Sequence, residues 1–311
     1  MSVTVKEIAA YENFGRCIEI SNGAVEALVM IDAGPRVIKL CRKGGSNVMF
    51  NDLARAHFNN GPHYDAYYYE GAQWNIYGGH RLWISPESAP ETAYPDNNPV
   101  EYILTEHGAR FIQPPQLENH VQFEIELIME DEAPQLKVIH RVTNIGKADK
   151  QFAVWALSVM APGGTEIIPM NTNETGLLPN RCVAMWPYCD YNDDRLYLGH
   201  KYATLRQDAT RGAFKMGLDA NHGTAYYALG DTVFKKQYAQ THPTGVYADY
   251  GCSFETYTCE LFLEMETLGE LKTVAAGETE EHIEQWTLLP SPGEFDAKDD
   301  ASIDAFVEKL K

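Results

Sequence analysis

No stretch of this chain approaches the roughly 18 consecutive apolar residues that a membrane-spanning helix needs, so no transmembrane helix is expected. Positive charge is scarce. The 25 Lys and Arg stand against 44 Asp and Glu, a net charge of −19, and no long basic run occurs. That balance opposes non-specific binding to nucleic acid or to an anionic membrane surface. The amino-terminal residues lack the charged-then-apolar layout of an export signal, which points to the cytoplasm. Cysteine is also sparse, with six residues at positions 17, 41, 182, 189, 252 and 259. The separation of seven between Cys182 and Cys189, and again between Cys252 and Cys259, is not that of a zinc knuckle. Reduced, mostly buried thiols and no disulfide are the expectation. Phosphate-binding loops, dinucleotide fingerprints, H-E-x-x-H and G-x-S-x-G are all missing. So are internal repeats of the solenoid or propeller kind, and no Pro-, Gly- or Ser-rich linker divides the chain. A single domain over residues 1–311 follows, with residues 291–311 as a helical tail.

What the chain has in abundance is short strand-like runs. Cys17–Ile20, Ala24–Ile31, Arg36–Leu40, Glu101–Thr105, Ala109–Ile112, Val121–Met129 and Leu136–Asn144 are separated by turn signals such as Ser21-Asn22-Gly23. The pattern resumes at Gln151–Met160, Tyr202–Arg206, Ala213–Leu218, Gly223–Leu229, Phe254–Glu266 and Glu280–Leu288. Helical spacing is clear only near the end, where Ile303, Phe306, Val307 and Leu310 follow an acidic start. The reading is an all-β sandwich or barrel closed by one short helix. Aromatic residues are plentiful, which suits β-sheets and also suits stacking on sugar rings. Two irregular stretches, Asn51–Asn75 and Ser85–Pro99, are long enough to be functional loops.

Between those loops lies Tyr77-Gly78-Gly79-His80-Arg81-Leu82-Trp83-Ile84-Ser85-Pro86-Glu87. The glycines permit a kink or a close approach. His80 can move a proton near neutral pH, Arg81 offers a planar fork and Trp83 a stacking face. Strict alternation, however, groups His80 with Leu82 and Ile84, and Arg81 with Trp83 and Ser85, so a regular strand divides His80 from Trp83. A second candidate is the acidic run from Phe254. Read as one strand, it places Thr256, Thr258, Glu260, Phe262, Glu264 and Glu266 on one face, and Tyr257, Cys259, Leu261, Leu263 and Met265 on the other. Carboxylates two residues apart lie roughly 7 Å apart, a costly arrangement without cations or a polar ligand. Arg36 in Ala33-Gly34-Pro35-Arg36, and Lys215, are further polar candidates. His57, His63 and Asp65 carry no diagnostic metal spacing, and no metal site is assigned.

The Leu263–Leu271 run resembles the L-E-x-Q-x-x-P-D segment of aldose 1-epimerases, the galactose mutarotases. Gly277-Glu278, His282 and Glu284-Gln285-Trp286 resemble the closing strand of such domains. The Gly78–Glu87 segment resembles an uncharacterised subgroup that reads GGxRLWxxPE. The resemblance implies a β-supersandwich with its site on the concave face of the larger sheet. It places Glu264 at the catalytic base and Glu266 at the Gln position. The family's catalytic His falls at Ser158 or Val159, neither of which donates a proton near pH 7. His80 is therefore the expected substitute acid, with His140 and His63 behind it. Arg36, Arg81, Trp83, Glu87, Glu266 and Lys215 are the expected substrate contacts. The implied partner is a small carbohydrate, and the implied reaction, interconversion of sugar anomers, requires no metal or organic cofactor. Two alternatives stand beside it: a non-catalytic sugar-binding or sensing protein, and a lyase or hydrolase acting on a modified sugar or uronic acid.

Overall fold

The structure is a computed structural model that describes residues 2–240 and 245–311. Alternating burial, as in Val121–Met129 where every odd position is buried, makes each strand amphipathic, so each sheet must cover an apolar face. Two large antiparallel sheets do this for each other. The first has 11 strands. Its central path runs Arg36–Arg42, Gly79–Ser85, Lys150–Met160, Leu263–Leu268, Phe254–Thr258, Phe214–Leu218 and the edge strand Val183–Met185. The second has 10 strands, with Thr232–Tyr238, Thr279–Pro290, Gln135–Asn144 and Val121–Met129 at its centre. Their inner faces share one apolar cluster, to which Val37, Leu82, Val154 and Met265 contribute from the first sheet and Phe123, Val138, Phe234 and Trp286 from the second. The architecture is the all-β sandwich expected from the strand pattern.

The helix Asp300–Glu308 covers the outer face of the second sheet, seating Ile303, Phe306 and Val307 on Ile167, Tyr226 and Val233. Asp299 caps it, accepting from the backbone of Ala301 and Ser302. No described helix is long and apolar enough to cross a membrane.

One expected strand is in fact two. Phe254–Thr258 and Leu263–Leu268 form a hairpin, closed by the Cys259 N–H donating to the Phe262 carbonyl at 3.0 Å. Pairing sets Thr256 opposite Met265 and Tyr257 opposite Glu264. The turn therefore inverts the parity: Glu255 and Tyr257 share a face with Glu264 and Glu266, whereas Thr256 and Thr258 share the inner face with Met265. The glycines at 78 and 79 serve the chain itself. Both have positive φ, and a Cβ would meet the Phe50 carbonyl oxygen at 2.1 Å and the Val37 carbonyl oxygen at 2.2 Å respectively.

Candidate functional site

The outer face of the first sheet carries a hollow of ≈ 170 Å³. Two rows of side chains build its floor. Arg81, Leu157, Glu266 and Glu255 lie side by side across four adjacent strands. Glu264, Tyr257 and Lys215 form the next row. The loop before the Gly-Gly kink closes over this face, bringing His57, Asn59, Trp74 and Ile76 to the wall. It is held there by the short pairing of Phe58–Asn60 with Gln73–Asn75. The loop after the strand contributes Glu87.

Charge in this hollow is paired over aromatic rings. Arg81 donates to Glu264 at 2.8 Å, and its guanidinium sits 4.2 Å from the Trp83 ring centre and 5.4 Å from that of Trp74. Lys215 reaches Glu255 at 2.9 Å and Glu266 at 3.2 Å, with the Trp155 and Trp186 ring centres 4.6 and 4.7 Å from its ammonium. These are cation–π distances. The Trp155 indole N–H also donates to Glu266 Oε2 at 3.0 Å. Glu266 Oε1 has no hydrogen-bond partner among the described residues.

Burial sets the protonation of this group. Desolvation pushes Glu266 up to about 7, opposed by Lys215 and reinforced by the negative charge of Glu264. Glu255 rises to about 8, again chiefly by desolvation. Burial alone would lower Lys215, but the Glu266 and Glu255 carboxylates outweigh it and raise its pKa. His57 is held below the ordinary imidazole value by burial. Glu264 pulls it up and Arg81 pulls it down, so it feels both members of the ion pair.

Of the residues expected at the site, Glu264, Glu266, Arg81, Trp83, Glu87 and Lys215 meet in this hollow. His80 does not. The strand Gly79–Ser85 is regular, so His80 points between the sheets and is fully buried. Its Nδ1 lies 2.8 Å from Ser158 Oγ, and its Nε2 lies 2.7 Å from His140 Nε2. The role of acid beside Glu264 is therefore not open to His80, and His140 shares its burial. Arg36 is also elsewhere. It makes a buried ion pair with Asp96, at 2.6 and 3.0 Å, beneath the loop that ends at residue 99. His63 sits near the Ala89 carbonyl, outside the hollow. His57, Trp74, Trp155, Tyr188, Glu255 and Tyr257 also line the hollow or bond within it, and none was among the expected catalytic or substrate-binding residues. For His57 and Trp74 the signal was present, since both lie in a loop already marked as functional.

His80, His140 and Glu284 bring potential ligand atoms within 4.8 Å of one another. The local bonding fits protons better than a metal. His140 Nδ1 faces the His282 carbonyl at 2.9 Å and must donate, which makes its Nε2 an acceptor. His80 Nε2 then donates across the 2.7 Å gap, and its Nδ1 accepts from Ser158. Two nitrogens on one tetrahedral zinc would stand roughly 3.3 Å apart. Glu284 is already engaged by Lys236 at 3.1 Å and by the Trp286 indole.

No protein-family model matches the sequence, and no curated protein matches it. Solved structures do match the fold. A galactose mutarotase-like protein from Lactobacillus casei superposes with a TM-score of 0.59 at 13% identity, over 88% of this chain and 100% of that one. A Klebsiella pneumoniae protein, provisionally named an aldose 1-epimerase, gives 0.60 at 11% identity, over 98% and 86%. A TPR-domain containing protein from Parabacteroides distasonis gives 0.59 at 14% identity over 90% of this chain, which spans only 48% of that protein. The fold is that of the galactose mutarotase-like proteins.

Proposed function

We propose that the protein binds a neutral aldose in the hollow on the outer face of its first sheet and interconverts the sugar's anomers. The observation that carries this reading is the juxtaposition of two carboxyl groups, Glu264 bonded to Arg81 and Glu266 buried beside Trp155 with its Oε1 unpartnered among the described residues. Glu264, ion-paired with Arg81, supplies the base. Glu266 supplies the acid, because desolvation keeps its proton up to about pH 7 and Oε2 already accepts from Trp155 and Lys215, which leaves Oε1 for the proton. Glu264 takes the proton of the anomeric hydroxyl as the bond from the anomeric carbon to the ring oxygen breaks. Glu266 protonates that oxygen. The open-chain aldehyde turns and recloses by the reverse transfers.

Charge and size favour this ligand class. Two cations, Arg81 and Lys215, face four carboxyl groups, Glu87, Glu255, Glu264 and Glu266, with Arg81 bonded to Glu264 and Lys215 to Glu255 and Glu266. Among the described residues that line the hollow, neither cation is free of a carboxyl partner to hold a phosphate or a uronate. The hollow of ≈ 170 Å³ is small beside the roughly 300–1,000 Å³ of drug-sized sites, which suits one ring. Trp83 and Tyr257 offer it apolar faces.

Glu264→Gln keeps shape and hydrogen-bonding capacity but removes the base. Anomer interconversion, followed by polarimetry, should fall by about 10²–10⁴-fold with sugar affinity little changed. The 2.8 Å contact that engages Glu264 Oε1 with Arg81 favours a second reading, a non-catalytic sugar-binding protein. Tight binding of an aldose with no turnover in the wild type would select it.

A further inference from the structure

Beyond the first hollow, toward the edge strand Val183–Met185, lies a second one of ≈ 300 Å³ lined by Ala184, Met185, Trp186, Pro187, Asp249 and Tyr250. The two are neighbours across one short segment. Trp186 lines the second hollow, its ring contacts the Lys215 ammonium, and Tyr188 lines the first. Trp186 is also anchored by its own N–H to the Lys215 carbonyl at 3.4 Å.

Opposite this wall, the Tyr250 side chain stands in solvent, 95% exposed. The backbone works to keep it there. Asp249, Tyr250 and Gly251 have φ of 50°, 68° and 105° in succession. Residues other than glycine seldom enter that region, and such strain persists where the surroundings over-determine it, often at binding sites. Here the surroundings are two thiols. Cys252 donates to the Asp249 carbonyl at 3.0 Å and Cys182 to the Tyr250 carbonyl at 3.1 Å. The Gly251 and Cys252 N–H groups both close onto the Ala248 carbonyl. A fixed turn thus presents an exposed aromatic ring and a carboxylate across from a tryptophan.

Resting on the aldose reading above, we infer that this is a second sugar subsite, and that the preferred ligand is a reducing oligosaccharide. Its reducing ring occupies the first hollow. The adjoining ring lies between Trp186 and Tyr250, with its apolar face on an aromatic ring and its hydroxyls donating to Asp249. The adjacency of the two hollows, on either side of Trp186-Pro187-Tyr188, is what selects a linked sugar over a separate ligand.

The test is calorimetric titration with D-glucose, D-galactose and D-mannose and with the α- and β-linked disaccharides that end in each. At least one disaccharide should bind about threefold to tenfold more tightly than the monosaccharide at its reducing end, the range an aromatic stacking contact supplies. Tyr250→Asn keeps a residue that tolerates positive φ and touches nothing in the first hollow. It should abolish that gain, leave monosaccharide affinity unchanged and preserve the thermal melt. Monosaccharide binding with no disaccharide gain, or a gain that survives Tyr250→Asn, overturns the second subsite alone. Failure of every sugar to bind overturns the aldose reading, and this inference with it.

Discussion

Replacing Glu266 with Gln should change how stability depends on pH, by an amount the site itself sets. Its carboxyl is fully buried, and desolvation lifts its pKa from 4.5 to about 7. Between those values the folded chain holds a proton that the unfolded chain has released. Stability from this group is therefore fully present below pH 4.5 and is lost as pH rises through 7. Holding the proton from 4.5 up to about 7 corresponds to about 3 kcal/mol. Absolute stability mixes this with the buried histidines, which act in the opposite sense. Burial lowers His80 and takes His282 down to about 4, so they lose stability as pH falls below 6.5. The wild type minus Glu266→Gln difference cancels them. Measured by urea unfolding from pH 4.5 to 7.5, it should move by about 3 kcal/mol, with the wild type relatively weaker at the alkaline end. Glu255 contributes in the same direction, since removing the Glu266 charge lowers its pKa too. A difference that stays flat across this window would refute the assignment of Glu266 as a carboxyl protonated near neutrality, and with it the proposed acid.

Other substitutions separate the site from its support. His80→Ala strands His140 Nε2 and the Ser158 hydroxyl in the interior and should cost about 2–4 kcal/mol in urea unfolding, while sugar affinity stays at the wild-type value. Arg36→Met leaves Asp96 buried without its cation; the melt should fall by the equivalent of about 3–5 kcal/mol, again with sugar binding intact. Trp83→Ala removes the ring beneath the Arg81 guanidinium, and should weaken sugar binding by about tenfold with little loss of fold.

Much of the sandwich was legible because period-two patterns reach from turn to turn. Val121–Met129 and Tyr202–Arg206 have the bounds their sequences suggest, and the helix Asp300–Glu308 follows its spacing and cap. The same alternation, applied to Gly79–Ser85, separates His80 from Trp83. A catalytic His80 followed instead from the need to replace a missing acid. The hairpin at 254–268 was invisible because its turn, Cys259-Glu260-Leu261-Phe262, contains no Gly, Pro, Asn or Asp. Missing it put Tyr257 on the core face with Met265 instead of beside Glu264. Trp155 was hidden for another reason. Lys150–Met160 is buried on both faces over most of its length, and its one polar residue there, Ser158, faces inward to His80, so no polar residue marks the side that faces the hollow. Glu264 and Glu266, two apart within one true strand, kept their common face.

The central claim is that a neutral aldose occupies the hollow between the Arg81–Glu264 and Lys215–Glu266 pairs. Thermal unfolding in the presence of monosaccharides, sugar phosphates and uronic acids tests it most directly. A neutral aldose at 100 times its dissociation constant should add about 2.7 kcal/mol of stability, and its phosphate and uronate forms should add less. Stabilisation by the anionic sugars alone, or by none of the three classes, would contradict the account.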